Sequence, residues 1–163
     1  LVTLMNEYFD AVTPLFKDNG GVIDKFIGDC VMGVFRGEDD MENADYAFAA
    51  VKTGVQMIKA LKEFNEGHAT PLDIRVGINS GVAIMGDIGA AAVRRDHTVI
   101  GDSVNLAARL ESNAEDGTVL ISEGTYDLVE DRIVATELDS IMVKGKSMPI
   151  HVFRAEDFIE DGA

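Results

Sequence analysis

Asp96-His97-Thr98-Val99-Ile100-Gly101-Asp102-Ser103-Val104-Asn105-Leu106-Ala107-Ala108-Arg109 is the stretch whose reading decides the fold. It leads into a helix of about residues 101–113, and it sets Asn105 and Arg109 four residues apart on that helix. A spacing of four puts the two side chains one above the other on one face. Val104, Leu106, Ala107, Ala108 and Leu110 read as the packed sides. The result is a polar strip on an otherwise apolar surface. On an arbitrary helix such a strip simply faces solvent, but within apolar surroundings it calls for a partner or a ligand.

Toward the amino terminus, Leu4, Met5, Tyr8, Phe9, Val12, Leu15 and Phe16 recur at helical spacing. They predict an amphipathic helix over residues 2–17 that Asn19-Gly20-Gly21 stops. Val22–Phe26 and Cys30–Phe35 are β-prone runs joined by Ile27-Gly28-Asp29, a hairpin with Asp29 at or beside its tip. Ala44–Phe64 carries a second helical pattern. Leu72–Ile78 alternates and Val82–Met85 follows after Asn79-Ser80-Gly81, which predicts a second hairpin. The Gly-Ala-rich, doubly basic segment Ile88–Asp96 reads as an extended loop or arm.

Beyond the central helix, Val119–Ser122 reads as a strand and Glu123–Val129 as a short helix started by Ser122. Val134 and Ile150–Arg154 mark late strands. No internal repeat or low-complexity tract interrupts the chain. The order helix, strand, strand, helix, strand is that of an α+β ferredoxin-like sandwich lacking its first strand, with further elements appended.

A length of 163 residues suits one domain with a core of its own. The 29 acidic against 14 basic residues leave a net charge of −15. That balance argues against nucleic acid as a partner and provides no polybasic contact to a membrane. A polyanionic substrate would therefore need metal ions or a local basic pocket. No apolar run approaches the ~20 residues of a membrane span, and Leu1–Glu7 lacks the blocks of a signal peptide. A cytoplasmic location is expected. The lone Cys30, beside Val31, Met32, Val34 and Phe35, reads as a buried strand residue.

Three segments carry a family resemblance. Thr98-Val99-Ile100-Gly101-Asp102 with Val104-Asn105 and Ala107-Ala108-Arg109 resembles the signature helix of the class III nucleotidyl cyclases, the adenylyl and guanylyl cyclase catalytic domains. Lys25-Phe26-Ile27-Gly28-Asp29 and Val143-Lys144-Gly145-Lys146 resemble two further motifs of that family. His97 is the departure, standing where the family often has an aromatic residue, and it reads as structural. The resemblance covers residues 1–155 and leaves 156–163 as an acidic tail.

Read alone, Asp29 is a turn aspartate capping its own backbone, and Lys25 and the Lys-Gly-Lys turn are solvated. The resemblance implies more. Asp29 would be one of two carboxylates holding a pair of divalent ions, Mg²⁺ or Mn²⁺, which want oxygen ligands. Arg109 would stabilise charge on the α-phosphate, Asn105 would hold the ribose, and Lys144 would meet the terminal phosphates. Lys25 and Thr98 would read adenine, whose N1 accepts and whose N6 amino group donates. ATP is then the substrate and 3',5'-cyclic AMP the product. Lys146 is expected to be solvated, Asp102 to cap the signature helix, and Arg94 and Arg95 to engage a partner subunit.

The resemblance further implies that a second copy of the domain completes each site. Asp29 would come from one subunit, and Lys25, Thr98, Asn105, Arg109 and Lys144 from the other. The family's other metal aspartate stands in a segment upstream of the first helix, and no such segment precedes it here, since Asp10 and Asp18 have the wrong neighbours. A guanylyl cyclase and a catalytically inactive dimerisation or signalling module are the alternative readings.

Overall fold

Three of the four residues of Val119-Leu120-Ile121-Ser122 are strongly apolar, and the structure buries all four. The computed structural model describes residues 2–36, 42–90 and 94–160, with the side chains of Ile88, Ala90 and residues 94–98 outside the description. Its elements are α1 (Val2–Asp18), β1 (Val22–Ile27), β2 (Cys30–Val34), α2 (Asn43–Glu66), β3 (Val76–Ile78), β4 (Ile84–Ala90) and β5 (Arg94–Ile100), followed by α3 (Asp102–Asn113), β6 (Val119–Ser122), α4 (Glu123–Val129), β7 (Ile133–Glu137) and β8 (Val152–Phe158). The fold is mixed α+β, as the sequence led us to expect.

The main sheet has the order β3-β6-β8-β7, with β3 and β6 parallel and the other neighbours antiparallel. Alternation along β6 divides the core between two faces. Val119 and Ile121 join Ala47, Val51 and Val55 of α2 on one side. Leu120 joins Leu110 of α3 and Val152 of β8 on the other. A further cluster locks α1 to α2 through Tyr8, Val12 and Phe16 against Met57 and Leu61. β1 pairs only with β2, and β4 only with β5, so no strand joins the β1–β2 ladder to β3 among the described residues.

Close approach of α3 to the sheet depends on Gly77. A Cβ there would lie 2.2 Å from the Glu111 backbone nitrogen and 2.5 Å from the Ala107 carbonyl oxygen. Those are helix backbone atoms, which cannot rotate away as a side chain can. Gly77→Ala is therefore expected to destabilise the fold by about 1–3 kcal/mol, the usual range for overpacking. Denaturant unfolding followed by circular dichroism measures this, and an unchanged midpoint would mean that α3 retreats freely.

Three expectations are corrected. The hairpin expected from Leu72–Ile78 and Val82–Met85 does not form, because β3 pairs with β6 and β4 with β5. The reason lies in Asn79, which does not make a tight turn. Its side chain donates to the Ser103 carbonyl at 3.0 Å and accepts from the Ser122 hydroxyl at 2.7 Å, tying the connection to the starts of α3 and α4. Of the arm expected at Ile88–Asp96, Ile88–Ala90 and Arg94–Asp96 are instead paired ends of β4 and β5, in register from Ile84 opposite Ile100 to Ala90 opposite Arg94, and residues 91–93 lie outside the described residues. Cys30 is exposed, since it opens a two-stranded ladder beside the turn. Among the described residues no helix is long and apolar enough to cross a membrane.

Candidate active site

The polar strip owes its exposure to the apolar residues beside it. Leu110 is fully buried against Leu120 and Val152, and Leu106 packs on the same cluster. With that face of α3 pinned, Asn105 and Arg109 are left exposed to solvent. Arg109 takes part in the helix through its carbonyl, which accepts from Asn113 Nδ2 at 2.7 Å. Its guanidinium and the Asn105 amide take no side-chain partner among the described residues.

The start of α3 differs from expectation. Gly101, at φ 142°, is the N-cap, and no side chain caps the helix. Asp102 is the first helical residue, where its charge suits the helix dipole. Its carboxylate pairs with the Lys146 ammonium, so Lys146 is not merely solvated.

The second part of the site is the β1–β2 hairpin. Lys25 stands opposite Met32, one residue past a register shift, with its ammonium 3.5 Å from the buried Asp24 carboxylate. Gly28, at φ 60°, supplies the left-handed residue of the turn. Asp29 follows it, exposed and without a side-chain partner among the described residues. β1 packs against β5, which brings the strand of Lys25 beside the strand of Thr98. Thr98 pairs with Gly86 through its backbone, while its side chain, like those of Arg94, Arg95 and His97, lies outside the described residues. Partial burial and the charges of Glu111 and Asp29 push the Cys30 thiol up. Among the described residues no hydrogen bond or ion pair joins Asn105 or Arg109 to Asp29.

The third part is the loop between β7 and β8. Ile141 and Ile150 exchange backbone hydrogen bonds of 2.9 and 2.7 Å, closing the loop at its base. Nearer the tip Val143 is buried, Gly145 lies at φ 89°, and Lys146 N donates to the Val143 carbonyl at 3.2 Å. Lys144 is exposed on that turn with no partner among the described residues. An open cleft of about 440 Å³ lies beside this loop, lined by Asn79, Asp102, Ser103, Leu106, Ile150 and His151. It belongs to the Leu106 side of α3 and does not include the strip.

Sequence reasoning missed the polar cluster of Asn79, Ser80, Ser122 and Thr125. Ser80 Oγ lies 2.9 Å from Thr125 Oγ1, and Ser122 Oγ accepts from Thr125 N at 3.2 Å. An Asn-Ser-Gly tripeptide directly after a strand was the available signal. As for metal, no group of three His, Cys, Asp or Glu side chains converges among the described residues. Asp29 fits a hard cation as a single oxygen ligand on a bare turn, and further ligands would have to join it.

The exposed Arg109 guanidinium, Asn105 amide, Asp29 carboxylate and Lys144 ammonium, which take no side-chain partner among the described residues, suit a phosphorylated, hydroxyl-bearing ligand. A family model described as the adenylate and guanylate cyclase catalytic domain matches residues 1–155. The chain is 32% identical, over 96% of its length, to the terminal-differentiation-specific adenylate cyclase of Dictyostelium discoideum. It spans 8% of that protein and less than a third of other curated relatives. Among solved structures it is similar to the adenylyl cyclase CyaB from P. aeruginosa, with TM-score 0.90 and 41% identity over 96% of this chain and 82% of that one. It is also similar to the guanylyl cyclase Cya2, with TM-score 0.88 and 32% identity over 99% of this chain and 82% of that one. With its signature helix, hairpin and lysine loop all inside the matched span, the chain belongs to the adenylate and guanylate cyclase catalytic domain family.

Proposed function

We propose that this chain is an adenylyl cyclase domain, converting ATP to 3',5'-cyclic AMP and pyrophosphate at sites shared by two copies. One observation carries the reading: Asp29, Asn105, Arg109 and Lys144 are all exposed, and their side chains take no partner among the described residues. Groups that the fold leaves unpartnered are available to a ligand. Exposed Phe26 and Ile27 on the β1–β2 hairpin, with Val82 and Ile84 at the base of β4, support a second copy as the covering partner.

In this reaction the ribose 3'-oxygen bonds to the α-phosphorus, its proton departs, and the bond from the α-phosphorus to the bridging oxygen of pyrophosphate breaks. Arg109 stabilises the charge that builds on the α-phosphate, a task suited to a permanently charged planar fork. Asn105 holds the ribose so that the 3'-oxygen is in line with the leaving group. Lys144 meets the terminal phosphates. Lys25 donates to adenine N1 and the Thr98 hydroxyl accepts from the N6 amino group. Asp29 provides one oxygen ligand toward Mg²⁺ or Mn²⁺, and a second carboxylate must complete the set. Such a pair of ions, when bound, neutralises triphosphate charge and acidifies the 3'-hydroxyl.

The likeness to an adenylyl cyclase at 41% identity supports ATP, while the likeness to Cya2 keeps GTP as the competing substrate. Assaying the full-length protein with each nucleotide and Mn²⁺ decides between them. We expect kcat/KM for ATP to exceed that for GTP by about tenfold or more, since mismatched base-edge hydrogen bonds leave buried polar groups unpaired. A preference for GTP would overturn the roles of Lys25 and Thr98. Turnover of neither would favour the inactive signalling module.

A further inference from the structure

The Asp102–Lys146 ion pair joins two parts of the site that are otherwise far apart in sequence. Asp102 opens α3, one helical turn ahead of Asn105, and Lys146 follows Lys144 across Gly145. The loop that carries both lysines is firmly held at its base. Leu138, Ile141 and Ile150 pack onto the cluster of Leu110, Leu120 and Val152. His151 adds contacts of 2.6 Å to Glu123 and 2.6 Å to Glu137. The cleft lies between the start of α3, at Asp102, Ser103 and Leu106, and the returning side of the loop at Pro149 and Ile150. Buried Val143 and the Lys146 ammonium on Asp102 are what fasten the tip.

We infer that Asp102 and Lys146 are positioning residues: their ion pair registers the loop tip on α3, so that Lys144 addresses the same nucleotide as Asn105 and Arg109. The inference rests on the cyclase reading and extends it to two residues with no role in that reading. Lys146 is spent on Asp102, which distinguishes it from Lys144 two residues earlier. One helix thereby carries the strip and, through its first carboxylate, sets the height of the phosphate-binding lysine.

The test is steady-state ATP kinetics on the full-length protein carrying Asp102→Asn, Lys146→Gln, Lys144→Gln, the exchange Asp102→Lys with Lys146→Asp, and the combination of Lys144→Gln with Lys146→Gln. Asp102→Asn and Lys146→Gln should each raise KM about fivefold, the scale that a partly exposed ion pair can hold, with kcat within about twofold. The exchange variant should recover most of that loss. In the Lys144→Gln background, Lys146→Gln should add nothing, because the pair acts through Lys144. Amide hydrogen exchange across 141–150 should quicken in both single variants without nucleotide. An Asp102→Asn enzyme with wild-type KM beside an impaired Lys146→Gln enzyme would make Lys146 a direct phosphate contact and overturn the inference. So would losses that add to those of Lys144→Gln, or unchanged hydrogen exchange. Wild-type KM in Lys144→Gln would instead remove Lys144 from the site, and the positioning role with it, a failure of the cyclase reading that the exchange data would not share.

Discussion

Replacing Arg109 with alanine is expected to lower kcat for ATP by about 10²-fold or more, the loss typical of removing one transition-state donor. The same change should leave the thermal midpoint within about 2 °C, as for a surface position away from packing and capping. These two halves follow from one structural fact. The Arg109 guanidinium is exposed and takes no partner among the described residues, so folding does not use it. Leu110 and Leu106 keep the helix on the sheet without it, and alanine is the best helix former to put in its place. Arg109→Lys should recover little, because an ammonium cannot present the paired donors of a planar fork. Steady-state kinetics with Mn²⁺ and a thermal melt on the same preparation read both quantities. Turnover within fivefold of wild type would remove Arg109 from the reacting phosphate. A collapse of the midpoint would make it a structural residue instead.

Local periodicity explains which parts of the fold were legible. α1, α2 and α3 fall within about two residues of the helices that the apolar spacing implied, and the β1–β2 hairpin holds with Asp29 in its turn. Strand pairing was less legible, because it depends on residues distant in sequence. β3 has three residues and pairs in parallel with β6, about forty positions on, and no local pattern announces such a partner. Asn79 looked like turn chemistry and instead bonds to Ser103 and Ser122. Cys30 sat among apolar neighbours, yet a ladder of two strands has too little cover to bury its end. At the site, the motifs singled out Asn105, Arg109, Asp29, Lys25 and Lys144. The engagement of Lys146 with Asp102 spans 44 positions and was visible only in three dimensions.

The placement of Asp29 against the strip leads to the prediction with the widest gap between outcomes. An Asp29→Ala chain and an Arg109→Ala chain should each be nearly inactive as homodimers, since every site then lacks a metal ligand or the transition-state donor. Expressed together with two affinity tags and purified as the mixed dimer, they should regain about half of wild-type activity, because one of the two symmetric sites is intact. The arithmetic is specific to a shared site. If Asp29 and Arg109 served the same site from the same chain, each chain in the mixed dimer would remain crippled and the activity would stay at the homodimer level. Asp29 and Arg109 are both exposed and take no side-chain partner among the described residues, so both are available to a site completed by a second copy. A mixed dimer as inactive as its parents would refute half-sites on opposite partners.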